Sequence, residues 1–261
     1  MSNGVGIHIR KRDGRLVALN INKIHFVVEE AVEGLANVSA SQIEMNANIQ
    51  FYDGMSTQEI QEILIKSAND LISLDLPNYQ YAAARLLLYP IYKEAFGHYK
   101  PITLQEMIDK NIERGVYDPA ILEKYSADEI KTLDKYVKHS RDENFTYAGL
   151  RQIVDKYLCQ DRSNGEIFES PQFMYMMIAA TLFAEYPEKN RLSYVRRYYD
   201  ATSLFKINIP TPVMAGVRTP VRQFASCVLV DSDDTLDSIF ASDMSIGRYT
   251  AQRAGIGINA G

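Results

Sequence analysis

Two cysteines stand in the chain of 261 residues, Cys159 in "KYLCQDR" and Cys227 in "ASCVL". A thiol can serve as a small apolar core residue, as a redox centre or as half of a disulfide. Two cysteines this far apart in a reducing compartment read as buried or catalytic rather than as a structural staple. The second chemical candidate is "AQRAGIGINAG", residues 251–261. Glycine lets a backbone approach a ligand, or turn where side chains forbid it. The stretch lacks the Lys-Ser/Thr of a P-loop, and no helix is read after it to lend a dipole to a phosphate. Taken alone it is either a ligand-facing loop or a segment of a larger fold.

The composition narrows the classes. With 46% hydrophobic and 23% charged residues, this is an ordinary globular chain with a real core. A net charge of −5 argues against nucleic acid or an anionic membrane as the main partner, since both want a basic face. No apolar run reaches bilayer length. The start "MSNGVGIHIRKRDGR" lacks the apolar core of a signal peptide, so a cytoplasmic location is expected. No metal site is expected.

The elements that must position these residues follow from pattern. Val5, Ile7 and Ile9 alternate, then Val17, Leu19 and Ile21, with Asp13-Gly14 between them as a hairpin signal. A helix is expected from Asn22 as N-cap, with Ile24, Val27, Val28, Ala31, Val32 and Leu35 on one face. Ser41 with Glu44, Ser56 with Glu59 and Ser126 with Glu129 each have capping-box spacing. "YQYAAARLLLYPIYKEAFG" predicts a helix interrupted near Pro90. Residues 97–103, "GHYKPIT", read as a linker. Residues 170–187 are apolar nearly all round, which predicts a buried core helix. From about 207 the Pro-rich texture predicts extended segments and turns. These lead into a buried strand from Phe224 to Val230, then a helix with Asp234 as N-cap and Asp237 three residues on. Three regions are expected: 1–97, 98–206 and 207–261.

"KRDGR…N-x-x-K-I-H", "PTPVMAGVRTPVRQFASCVL" and "QRAGIGINAG", in this order, resemble the large (alpha) subunit of class I ribonucleoside-diphosphate reductase. The resemblance runs from about residue 7 to the last residue. It implies a mainly α fold with some β: an N-terminal ATP-cone (a hairpin plus a four-helix bundle), a helical domain, then the first strands of a ten-stranded α/β barrel. It also implies reduction of ribonucleoside diphosphates to deoxyribonucleotides. The partners implied are a radical-generating small (beta) subunit, whose di-iron or similar cofactor lies outside this chain, and an external thiol reductant such as thioredoxin or glutaredoxin. ATP, dATP and other deoxynucleoside triphosphates would be effectors. The family's subunit is about three times longer, and its thiyl-radical cysteine, second redox cysteine and shuttle cysteines lie downstream of the segment matched here.

Residue by residue, Cys227 matches the first member of the family's redox pair. Two thiols can give two electrons to a ribose 2′-carbon while becoming a disulfide. Thr211 and Ser226 match substrate-binding hydroxyl positions, and Gly255 matches a place where backbone approaches substrate. Asp234, with Thr235 and Leu236, matches the specificity-effector site. In the cone, Lys11, Asn20, Lys23, Thr57 and Lys93 match the effector pocket, where lysine ammonium groups suit a triphosphate. Two positions depart: Val17 stands where the family usually has Glu, and Gln61 where it has His. Weak or absent ATP binding, with no shut-off by dATP, is therefore expected. Cys159 matches nothing catalytic and reads as core.

Three functional readings follow. The first is an N-terminal piece of a split large subunit that assembles with a C-terminal fragment. The second is a stand-alone nucleotide-binding regulatory module. The third is a truncation product. Retention of Thr211, Ser226, Cys227 and Asp234 favours the first.

Overall fold

A computed structural model describes residues 7–221, 224–252 and 254–261. Val5 of the predicted hairpin pattern lies outside them. Two compact units are present, and neither is one contiguous stretch. The first takes the described residues up to Tyr99 together with Ser140–Asp155, and the second takes Lys100–His139 and the described residues from Lys156 onward.

The first unit opens with the hairpin. Strands β1 (His8–Arg10) and β2 (Leu16–Ala18) pair antiparallel, with Ile9 opposite Val17. Gly14 sits in the turn at φ 82°, a conformation that favours glycine. Four helices follow: α1 (Ile21–Val32), α2 (Ala40–Asn48), α3 (Thr57–Asn69) and α4 (Tyr79–Phe96). Their apolar stripes meet in a core that includes Val28, Ile43, Leu64, Ala83 and Leu86. The capping box of Ser56 and Glu59 forms as the spacing predicts. Two predicted caps shift. α1 is capped at Asn20 rather than Asn22, with no side-chain bond. α2 starts from Ser39, whose hydroxyl accepts from the Gln42 amide. Glu44, freed from capping, accepts from His25 at 2.8 Å and ties α2 to α1.

Helix α4 runs unbroken through Pro90, against the predicted interruption. A proline lacks the N–H that would bond the carbonyl four residues back, which here belongs to Leu86. That carbonyl instead accepts from the Gln61 side chain of α3 at 2.8 Å. A neighbouring helix supplies the missing donor, so the local rule is overruled by packing. Helix α8 (Tyr147–Gln152) also packs on α4 within this unit.

The second unit contains α5 (Leu104–Glu113), α6 (Ala120–Lys124), α7 (Ala127–Tyr136), α9 (Pro171–Leu182), α10 (Glu188–Ser203) and α11 (Thr211–Gly216). The Ser126–Glu129 capping box opens α7. Helix α9 is buried at every position from Pro171 to Ala180, as its all-round apolar sequence predicts. The short helix α11 replaces the extended run expected there, because Pro210 and Pro212 start a helix where a chain end tolerates them.

Last in the second unit are β3 (Cys227–Ser232), α12 (Leu236–Ala251) and β4 (Gly255–Ala260), in which the two strands pair parallel across the helix. Parallel pairing needs such a crossover. The strand starts three residues later than predicted and is not buried, since its positions alternate between exposed and half-buried. Helix α12 packs on this pair, and Leu229 is left 86% exposed. Asp234 is not the N-cap of α12. Thr235 holds that place, its hydroxyl accepting from the Ser238 amide. Among the described residues no helix is long and apolar enough to cross a membrane, and no group of side chains could hold a metal ion.

Candidate functional site

A cavity of about 400 Å³ opens in the first unit between the hairpin, α1 and α3. Its floor is apolar, built from Ile9, Ile24, Ile60 and Leu64. Its polar lining comes from Lys11 on the hairpin, Asn20 and Lys23 at the start of α1, and Thr57 at the start of α3. Fold and turn bring these four residues to one place from three segments. An apolar floor with ammonium groups at its edge suits an amphiphilic anion such as a nucleotide.

Val17 and Gln61 line the same cavity. Val17 offers no acceptor for a sugar hydroxyl. Gln61 has one of its two amide hydrogens committed to the Leu86 carbonyl, which fixes the direction of its side chain. Lys93, predicted for this pocket, is not among the lining residues. Its ammonium donates to the Gly97 carbonyl at 2.7 Å and lies 5.5 Å from the Tyr99 ring centre. Tyr99 does line the cavity, which sequence reasoning missed. It sits in what read as a linker, and no periodicity marks it.

Beside the cavity, Glu59 is drawn down to about 2 by the hydrogen bond from Tyr52 and by the Ser56 cap. The Arg10 guanidinium adds a weaker pull. Glu59 is thus a permanent anion that fixes the first turn of α3, which carries Thr57.

The second cluster lies on β3 and β4. Register places Cys227 directly opposite Gly255. The Gly255 amide donates to the Ser226 carbonyl at 3.1 Å. A β-carbon on Gly255 would stand 3.2 Å from that same oxygen, and one on Gly257 would stand 2.8 Å from the Leu229 side chain. Gly255 therefore eases the close approach of the two strands, while the exposed Leu229 side chain could yield at Gly257, and neither glycine has a positive φ. Ser226, Cys227 and Gly255 are brought together at one end of the strand pair, and all are exposed. The Cys227 thiol is free and exposed. Asp234, Thr235 and Leu236 follow one another at the start of α12, also exposed. Thr211 stands apart on α11, where its hydroxyl meets the Tyr157 phenol at 3.2 Å.

Cys159 is buried, as expected of a core residue. Its backbone amide donates to Glu169 at 2.7 Å.

Comparison with known proteins decides the family. Residues 7–94 match the ATP cone domain, and residues 143–222 match the all-alpha domain of ribonucleotide reductase. The chain belongs to the ribonucleoside-diphosphate reductase large-subunit family and matches its N-terminal part only. It is 53% identical over 253 residues to "Ribonucleoside-diphosphate reductase 1 subunit alpha" of Salmonella typhimurium, covering 97% of this chain and 33% of that protein. The Escherichia coli counterpart is 52% identical over the same coverage. The subunit alpha of Enterobacteria phage T4 is 44% identical over 98% of this chain and 34% of its own length. The chain thus spans about a third of the length of the relatives it matches. The hairpin and four helices are the ATP cone of this reductase-family chain, and the match to the all-alpha domain covers α8 to α11.

Proposed function

We propose that this chain supplies the N-terminal part of a working reductase large subunit: a cone for effectors, part of the substrate and specificity sites, and one redox-active cysteine. In this reading the cone occupies residues 1–97, a helical domain 98–206, and the first barrel strands 207–261. The observation that carries it is the register that sets Cys227 against Gly255, beside Ser226, at one end of the strand pair.

Cys227 and a second thiol would together reduce the ribose 2′-carbon of a ribonucleoside diphosphate. The hydroxyl leaves as water, the carbon gains hydrogen, and the two thiols close to a disulfide. An external dithiol then reopens it. The second thiol and the radical cysteine belong to the remaining two thirds of the large subunit, the C-terminal fragment in the split reading. The small subunit generates the radical. Thr211, Ser226 and the Gly255 backbone would hold the substrate, and Asp234, Thr235 and Leu236 the specificity effector. The apolar side chains of Leu229, Leu236 and Phe240 support such an assembly. They are 86%, 70% and 65% exposed, apolar surface on β3 and α12 that further residues of an assembled subunit would cover.

The test is reconstitution. This chain alone should not turn over. Mixed with the C-terminal segment and the small subunit, it should reduce ribonucleoside diphosphates, and Cys227→Ser should abolish multiple turnover in that mixture. Full activity of the variant removes Cys227 from the chemistry.

For the cone, Val17, which has no polar atom to offer, and Gln61, held against the Leu86 carbonyl, support weak ATP binding and no inhibition by dATP. Calorimetry should find weak or no dATP binding, and Val17→Glu with Gln61→His should strengthen it about tenfold or more. Tight dATP binding by the unaltered chain, with loss of activity in the assembled enzyme, would sink this part. A stand-alone regulatory module would need the opposite result.

A further inference from the structure

Thr211 is exposed at the start of α11, but its hydroxyl does not stand alone. It meets the phenol oxygen of Tyr157, a residue that is itself buried. Tyr157 ends a π-helical turn, Ile153–Tyr157, directly after α8. Such turns are rare and recur at functional sites, because the extra residue re-aims a side chain.

The two segments are locked by one buried cation. The Arg218 guanidinium donates to the Tyr157 carbonyl at 2.8 Å and to the Met214 carbonyl of α11 at 2.5 Å. It is held in turn by Glu169, which is fully buried and bonded to Arg218 through both oxygens. Tyr117 donates to Glu169 at 2.5 Å, and the Cys159 amide at 2.7 Å. A buried carboxylate with this many donors is fixed in place, and it fixes the guanidinium. Tyr157 and α11 are therefore braced against each other through both the main chain and the Tyr157–Thr211 hydroxyl contact.

We propose that Tyr157 is a positioning residue that presents Thr211 to the substrate as a hydrogen-bond donor. Either hydroxyl could donate in this contact, and in this proposal the Tyr157 phenol gives the proton and the Thr211 oxygen accepts it. A hydroxyl that accepts still has its own proton to give. Thr211 is exposed, so in this arrangement its remaining proton is free to reach a ligand. Phosphate and ribose oxygens accept hydrogen bonds, and a phosphate accepts only. The orientation thus suits the diphosphate end of the substrate. The inference rests on the reading of Thr211 as a substrate contact and adds the residue that sets its polarity.

The experiment uses the reductase assembled from this chain, the C-terminal large-subunit segment and the small subunit. Tyr157→Phe should raise KM for the ribonucleoside diphosphate about tenfold while kcat stays within about twofold. Thr211→Val should do the same, and the double variant should be no worse than either single one. Thr211→Ser, which keeps the hydroxyl, should stay near the unaltered KM. Tyr157→Phe with an unaltered KM overturns the proposal, and so does a double variant whose effects multiply. A Tyr157→Phe chain that no longer folds, judged by thermal unfolding, makes Tyr157 a core residue and also overturns it. If the unaltered assembly reduces nothing, the functional reading itself fails, and the positioning role fails with it. Turnover by the unaltered assembly separates the two failures.

Discussion

In the cone, every residue lining the cavity belongs to one compact unit, and the cavity floor is buried. In β3–α12–β4, Ser226, Cys227 and Gly255 are aligned by strand register, yet their strands stay open to solvent. The difference follows from how each buries its apolar surface. Four helices around a hairpin enclose a core by themselves. Two parallel strands and one helix cannot, and they leave Leu229 and Phe240 outside. A local bundle completes its own pocket. A fragment of a sheet fixes geometry along the strands and leaves the covering of its faces to other residues.

The two units also differ in where they keep their charges. The cone holds its ion pairs at the surface, such as His25 with Glu44. The second unit buries Glu169 and Arg218 completely. Removing one partner of a buried pair strands the other, so Glu169→Ala should cost about 3–5 kcal/mol. Hydrogen exchange should then show lost protection in α9 and α11, while α1 to α4 keep theirs. Equal loss in both units would erase the contrast.

Opposite pH responses should follow as the next largest effect. His139 of the second unit is pushed down to about 4 by burial, where its ring packs edge-on against Phe173 at 4.8 Å. A histidine that charges more readily unfolded than folded withdraws stability as pH falls from about 6.5 toward 4, here by up to about 3 kcal/mol. His25 of the cone moves the other way. Its bond to Glu44 raises its pKa, so its contribution is full below about 6.5 and fades as pH rises through the raised value. Exchange protection of the two units, followed from pH 4 to 8, reads both signs.

Gln61→Leu leaves the Leu86 carbonyl without its donor and should destabilise the cone by about 1–3 kcal/mol. Helix α4 should fray or bend at Pro90, seen as lost exchange protection beyond it. Smallest of all, Leu229→Asp should change the stability of this chain by less than about 0.5 kcal/mol, because its side chain is already in water. The same substitution should block assembly with the C-terminal segment in a titration. If it destabilises the isolated chain strongly, that face is covered already.

Much of this was legible from residue order, because the signals were local. Asp13-Gly14 gave the hairpin, Ser56 and Ser126 gave helix starts, and the all-round apolar run gave the buried α9. One error came where a distant group decided, and others where neighbouring residues compete for one cap. Pro90 looked like a break until Gln61 met the carbonyl it had freed. Ser41 and Asp234 have the right residue type for caps, but Ser39 and Thr235 occupy those places.

What the sequence determined by itself was therefore the set of helices, the order of the motifs and the residue types gathered in the cone. These depend on neighbours a few residues apart, which a chain carries wherever it folds. Only the tertiary structure decided that Tyr99 joins the cavity, that Gly255 eases strand approach, and that Arg218 braces Tyr157 to α11. Those facts join residues dozens of positions apart, and a distance in space is not written in a distance along the chain.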